Sequence, residues 1–271
     1  MKNTLIKKIS LSLLAGALSL GFVGCKNKDE SQGSGAANTA TEAKDEYIVG
    51  FDNTFVPMGF LDGDNQATGF DVDLAKEVFK RLDKEVKFEN IDWATKEASL
   101  DRGSIDMIWN GYSLNDERKK MVAYSDPYMD NKTIVVVMAD SDINTMDDLK
   151  DMEVGTQQGS TAYEALQANE DFKNSLKNGD ASQYDTFDKA LRDLEVGRIK
   201  GVVGDEVLIR YYLSQKGKEK YRILDGDLGS ESYVVAFRKG DTEFRDMVNK
   251  TLKEVKEDGT YQKIYDKYFD K

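Results

Sequence analysis

The chain has 271 residues, a formal charge of −12, no histidine, and one cysteine, Cys25. Without histidine, Ser-His-Asp and Cys-His catalysis and the common histidine-containing zinc sites are excluded. The acidic balance argues against nucleic acid as a partner and against adhesion to anionic lipid.

Thirteen Tyr and 12 Phe supply ample apolar surface for the core of one or two domains. Neither a phosphate-binding G-x-x-x-x-G-K-[ST] run nor carboxylates at EF-hand spacing occur, and no metal or cofactor is implied.

Lys2, Lys7 and Lys8 precede an apolar run over 9–23 that is rich in Ser, Ala and Gly, the composition of a secretion signal. It is too short and small-residue-rich for a membrane span. The run ends in Leu20-Gly-Phe-Val-Gly-Cys25, which resembles a bacterial lipobox with Phe22 where Leu is usual. That resemblance implies a leader over 1–24 and lipid on Cys25. Removing residues 1–24 takes away three lysines, so −12 becomes −15. A Ser/Gly/Ala-rich stretch follows, and 25–45 is expected to be a flexible tether. A lone cysteine permits no intramolecular disulfide, although the compartment would allow one.

From Tyr47 the pattern is α/β. Tyr47–Phe51 reads as a strand, Asp62-Gly63-Asp64 as a turn, and 69–82 as a helix with Val72, Ala75, Val78, Phe79 and Leu82 on its apolar stripe. Val86 and Phe88 mark a strand with Asp92-Trp93 at its end, a helix closes at Gly103, and the apolar run Ile105–Trp109 stops at Asn110-Gly111. Asn115-Asp-Glu-Arg118 then reads as a helix start, Asn115 capping and Arg118 one turn in, beside Ser113. Such a corner suits an anion, and a carboxylate fits the guanidinium fork best. Pairing of Arg118 with a neighbouring acid is the plainer alternative.

The second half echoes the first. Leu100–Gly111 has a counterpart in Leu194–Asp205, and Val49-Gly-Phe-Asp52 in Val154-Gly-Thr-Gln157. Each half runs strand, loop, helix, strand, helix, strand, so two lobes of one plan with parallel sheets are expected. Ligands of such sheets collect beyond the strands' carboxyl ends. Those ends carry Asp52, Trp93, Asn110 and Gly111 in one half, and Gln157, Ser160, Thr161 and Asp205 in the other. Ser160-Thr161 opens a helix whose N–H groups favour an anion, and Thr161-Ala-Tyr-Glu164 has capping-box spacing. Asp205 offers an anion to an ammonium group, and Phe55 and Trp93 offer flat apolar faces. A carboxylate, an ammonium and a side chain together describe a free α-amino acid.

Two extended stretches, from Tyr124 through Met138 and Tyr233–Phe237, are candidate crossings between the lobes. The expected limits are 46–133 with 234–271 for lobe 1 and 134–233 for lobe 2. Two closing helices, interrupted at Gly259, carry an aromatic stripe (Tyr261, Tyr265, Tyr268, Phe269) that reads as core packing.

Over Tyr47–Phe269 the chain resembles the polar amino-acid-binding proteins of bacterial ABC importers, the extracellular solute-binding family 3. The resemblance rests on Gly69-Phe-Asp-Val-Asp-Leu74, Ile105-Asp-Met-Ile-Trp-Asn-Gly111, Glu117-Arg-Lys-Lys120, Tyr124-Ser-Asp-Pro-Tyr128, Gly197-Arg-Ile199 and Val202-Val-Gly-Asp205. It implies the type II periplasmic-binding-protein fold: two α/β lobes, a two-strand hinge, and a ligand cleft between them. It further implies that Arg118 clamps the ligand's α-carboxylate, with Ser113 and the N–H groups of Ser113 and Thr161. Asp205, with Ser113 and the Asn110 or Gly111 carbonyl, would hold the ammonium. Phe55 and Trp93 would flank the side chain, and Asp52 would face its polar end. Gln157 stands where relatives carry a lysine or an apolar residue.

The closed form would dock on a membrane permease, from a monomeric protein held at the outer face of the cytoplasmic membrane by lipid on Cys25. Two rivals share the fold, a cyclohexadienyl dehydratase-like enzyme and a surface sensor or adhesin lobe. An acidic ligand would need a further cation near Gln157. A cationic one would need more than Asp52, with Asp64 and Asp130 as the contributors in sight. The sequence therefore leans to a neutral polar or sulfur-containing amino acid.

Overall fold

A computed structural model describes residues 44–269. The expected leader, the expected lipid attachment at Cys25 and nearly all of the expected tether lie outside the described residues. The last two tether positions are held to the fold: the Lys44 Nζ lies 2.6 Å from Asp106, and Asp45 pairs with Lys84 at 2.9 Å.

The chain enters with β1 (Glu46–Phe51) and turns through β2 (Thr54–Phe55), β3 (Gly59–Leu61) and β4 (Ala67–Thr68) into α1 (Phe70–Arg81). β5 (Glu85–Asn90), a 3-10 turn at Trp93–Thr95, α2 (Lys96–Asp101) and β6 (Met107–Ser113) follow. The one-turn α3 (Arg118–Met121) leads to β7 (Val122–Tyr124) and the long β8 (Met129–Met138). The second half contains β9 (Val154–Gln157), α4 (Thr161–Ala168), α5 (Glu170–Ser175), β10 (Ser182–Tyr184), α6 (Phe187–Glu195), β11 (Gly201–Asp205), α7 (Glu206–Lys216) and β12 (Tyr221–Ile223). β13 (Gly229–Arg238), α8 (Thr242–Glu257) and α9 (Thr260–Phe269) close the chain.

The main sheet runs β10-β9-β11-β8-β13-β6-β1-β5. β1 lies parallel to β5 and β6, and β9 lies parallel to β10 and β11. Each half therefore has its first strand between the other two, which is the repeat expected from the echoed sequences. Between the halves, β8 and β13 pair antiparallel, Gly229 opposite Thr133 and Tyr233 opposite Met129. These two strands continue into the ladders on either side, β8 onto β11 and β13 onto β6. The points expected for the lobe limits, 133/134 and 233/234, fall inside these continuous strands.

The helices form where apolar residues recur at helical spacing. On α1, Val72, Ala75, Val78 and Phe79 are buried, with Lys80 and Arg81 in the last turn where the helix dipole favours cations. β6 is buried along its whole length, as a central strand covered on both faces should be. The aromatic stripe of α9 is core: the rings of Tyr261, Tyr265 and Phe269 lie 5.4, 6.1 and 5.5 Å from Phe70. Across the same layer Tyr47 stacks on Phe244 at 4.4 Å.

Candidate functional site

The carboxyl ends of β1 and β6 face those of β9 and β11 across a cleft whose walls touch. Arg118 starts α3, and its backbone N–H donates to the Asn115 Oδ1 at 2.7 Å, so Asn115 caps the turn as its residue type suggests. The guanidinium is only 3% exposed. Nη1 donates to the Ser113 carbonyl at 2.7 Å, Nη2 donates to the Gly159 carbonyl at 3.0 Å, and the plane lies 4.8 Å from the Tyr112 ring centroid. Glu97 and Glu164 stand 3.6 and 3.5 Å away. The neighbouring-acid reading is thus partly met, but by acids from distant elements and around a buried fork.

Glu164 corrects an expectation. The capping box at Thr161–Glu164 does not form. Ser160 is the N-cap of α4, its Oγ accepting from the Tyr163 N–H at 3.1 Å. That shift puts Glu164 one position too far along to fold back onto the cap, and it reaches across the cleft to Asn115 and Arg118 instead. Ser160 also donates its hydroxyl to the Gln157 carbonyl (2.7 Å), and Thr161 becomes the first residue of α4.

Lys96, which the sequence reading passed over, is 2% exposed. Its ammonium donates to the carbonyls of Trp93 (3.1 Å) and Gly159 (2.8 Å) and lies 5.1 Å from the Trp93 ring. Burial, then repulsion from Arg118, pulls it down to about 8. Gly159 therefore receives a cation from each of two elements of the facing lobe. Its φ is +68°, and a Cβ there would come within 2.9 Å of Ala94 Cα, so only glycine allows this approach.

Two carboxylates have a different environment. Asp52 accepts from the Thr54 N–H (2.9 Å), the Thr54 hydroxyl (2.7 Å) and, across the cleft, the Gln157 amide (2.7 Å). Burial pushes its carboxyl above the usual range, against the pull of those donors. Asp205 accepts from the Tyr233 hydroxyl at 3.1 Å and from the Asn131 amide. Burial, with the Glu231 charge next, pushes it well above the ordinary carboxylate value. Among the described residues, every hydrogen-bond donor on these two groups is neutral.

The remaining candidates fall around these groups. Phe55 lies 6.0 Å from Phe187 and over Gly111, while Trp93 meets Tyr112 edge-on at 6.3 Å. Asn110 accepts the Asp52 N–H through its Oδ1 at 3.0 Å. The Asn110 Nδ2 and the Ser113 Oγ are buried without a hydrogen-bond partner among the described residues. Asp64 and Asp130 are exposed, and neither makes a hydrogen bond to Asp52 or Gln157 among the described residues. Gly111 has φ +58°, and a Cβ would sit 2.6 Å from the Phe55 ring and 3.2 Å from that of Tyr233. Gly111→Ala is expected to lower stability by about 1–3 kcal/mol, from backbone strain together with overpacking. Urea unfolding measures it, and an unchanged midpoint would contradict the packing described.

Residues 47–271 match the family of bacterial extracellular solute-binding proteins, family 3. The chain belongs to that family. It is 31% identical over 272 residues to a probable histidine-binding protein of Neisseria gonorrhoeae, covering 98% of this chain and 96% of the relative. It is 31% identical over 221 residues to a putative ABC transporter arginine-binding protein of Escherichia coli, covering 80% and 88%. Among solved structures it resembles an ABC uptake transporter substrate-binding protein from Streptococcus pneumoniae with bound histidine. There the TM-score is 0.81 and the identity 41%, over 84% of this chain and 93% of that one.

The fold of this solute-binding protein is accordingly the type II periplasmic one: two α/β lobes joined by two strands, with the cleft just described between them. Its contacts across the cleft, Gln157 to Asp52 and Arg118 and Lys96 to Gly159, are those of a closed arrangement. Sequence reasoning gave Glu164 a capping role and missed Lys96, Glu97, Asn131 and Tyr233. Each meets the site through a partner far away in the chain, and no local pattern marks it.

Proposed function

We propose that this protein captures a free L-α-amino acid with a planar cationic head, arginine or histidine, and delivers it to the permease of an ABC importer. The observation that carries the reading is the pair of buried carboxylates, Asp52 and Asp205, answered among the described residues only by neutral donors. A buried charge without a counter-charge is unfavourable, and a ligand bearing two cations supplies both. Asp205, with Ser113 and the Asn110 or Gly111 carbonyl, takes the α-ammonium. Asp52, with Gln157 beside it, takes the side-chain cation, and Phe55 and Trp93 give it flat aromatic faces.

Arg118 takes the α-carboxylate, helped by the N–H groups of Ser113 and of Thr161 at the opening of α4. The Ser113 hydroxyl and Asn110 amide, buried without partners, are further groups for the ligand's polar atoms. The relatives named for histidine and arginine support the same class. The sequence leaned to a neutral or sulfur-containing side chain, a class to which relatives named for cystine belong; that no cation answers Asp52 among the described residues favours the cationic class.

Closure follows from differential affinity. Lobe 1 (46–133 and 234–271) and lobe 2 (134–233) exchange between open and closed about β8 and β13, and a ligand bridging Arg118 and Asp205 favours the closed form. The family's extracellular setting fits a monomer held at the outer face of the cytoplasmic membrane through lipid on Cys25. The reading is of binding without turnover, separate from the dehydratase-like and sensor alternatives.

A thermal-shift screen of the twenty amino acids and cystine tests it. A ligand at 100 times its Kd adds about 2.7 kcal/mol, so arginine or histidine is expected to raise Tm by several degrees. A response confined to neutral amino acids or cystine would overturn the ligand class, and no response to any amino acid would overturn the function.

A further inference from the structure

Asp71 is fully buried on the first turn of α1, and the ligand contacts proposed above make no use of it. Its Oδ2 accepts the Gly111 N–H at 2.7 Å and the Tyr128 hydroxyl at 2.8 Å, while Oδ1 has no partner among the described residues. The Gly111 N–H is available because β6 leaves its ladder there. Tyr112 pairs with Val234 and Ile108 with Ala236, so four residues of β6 span what two residues of β13 span. Trp109–Gly111 therefore bulges out of the ladder, and a bulge of this kind redirects backbone groups next to a site.

Tyr128 stands immediately before β8. Its N–H donates to the Tyr233 carbonyl at 2.9 Å, and the Tyr233 hydroxyl reaches Asp205. One carboxylate thus ties the bulged cleft floor to the start of one crossing strand and, through it, to the other.

We propose that Asp71 is a positioning residue for ligand binding, holding the Asn110–Gly111 backbone in its bulged geometry and fastening it to the hinge entry at Tyr128. It touches no ligand atom. This rests on the amino-acid-binding reading above and assigns to the same site the group that sets its backbone.

Burial pushes Asp71 up to about 7, with the Tyr128 and Gly111 hydrogen bonds pulling the other way. The titratable groups facing it are Tyr128, Tyr261 of α9 and, beyond Tyr261, Asp130. Gly111 of β6 brings only a backbone N–H, and no Lys or Arg forms an ion pair with Asp71 among the described residues. The ionised carboxylate holds both donors more strongly, so affinity rises with pH through this range.

The test is calorimetric titration of the whole protein with L-arginine between pH 6 and 8.5, for wild type, Asp71→Asn and Tyr128→Phe. Asp71→Asn is expected to weaken binding roughly tenfold at pH 8 and to lack the wild-type rise in affinity across pH 7. Tyr128→Phe removes one hydrogen bond that favours ionisation, so the midpoint of that rise moves to higher pH. This second variant keeps the test decisive if Asp71→Asn does not fold. Unchanged affinity in Asp71→Asn, a loss that keeps the wild-type pH profile, or an unmoved midpoint in Tyr128→Phe overturns the inference. A wild type that binds no amino acid brings down the functional reading, and this one with it.

Discussion

Arg118→Lys is expected to weaken amino-acid binding roughly a hundredfold, and Arg118→Ala by at least about a thousandfold, the scale of truncating one partner of a buried charge pair. The lysine variant separates charge from geometry. The native guanidinium sits over Tyr112, its carbon 4.8 Å from the ring centroid, with Nη1 on the Ser113 carbonyl and Nη2 on that of Gly159. It is pre-set as a planar fork, and a bidentate carboxylate needs that fork. Lysine keeps the charge but neither stacks nor offers two parallel donors, so affinity falls while the electrostatic field changes little.

Alanine also takes from Glu164 its counter-charge at 3.5 Å and leaves Glu97 with Lys96 at 3.3 Å, and some stability is lost with it. Urea unfolding beside calorimetry separates the two effects. Native affinity in Arg118→Lys would show that only the net charge at this corner matters.

Arg118 was legible because its local signals agree: a capping asparagine, a first turn, and a strand that has just ended. Asp205 was legible through the echo of Leu100–Gly111 in Leu194–Asp205, which placed it at an equivalent strand end. The architecture was readable for the same reason, since periodicity and repeat are local properties of sequence. Contacts across the cleft are not. Lys96 and Gly159 meet over 63 positions and Gln157 and Asp52 over 105, and nothing at either end announces the other.

Asp71 was hidden differently. An acid in the first turn of a helix normally faces water and complements the dipole, yet here the helix packs so that this acid faces the core. The capping box failed on one residue of register, because Ser160 and Thr161 are both competent caps and the fold selects Ser160.

Asp52→Asn decides the ligand class. The folded protein holds Asp52 above its ordinary carboxylate value through burial, opposed by the hydrogen bonds from Thr54 and Gln157. Without ligand, the folded state therefore binds a proton more tightly than the unfolded chain. The sign follows: stability declines as pH rises from the ordinary carboxylate value, 3.8, through the raised folded one. A cationic side chain at Asp52 favours the ionised form and pulls the carboxyl back down. Arginine binding is then expected to release protons in that window and to tighten as pH rises through it.

In Asp52→Asn both effects of this residue disappear, and arginine affinity drops by about 2–4 kcal/mol, the scale of removing a buried ionic partner. A neutral amino acid of similar length loses little, because its head makes no use of the charge. Calorimetry in two buffers of different ionisation enthalpy reads the proton release directly. Equal losses for arginine and glutamine would mean that Asp52 serves the backbone of the site and not the ligand's side chain.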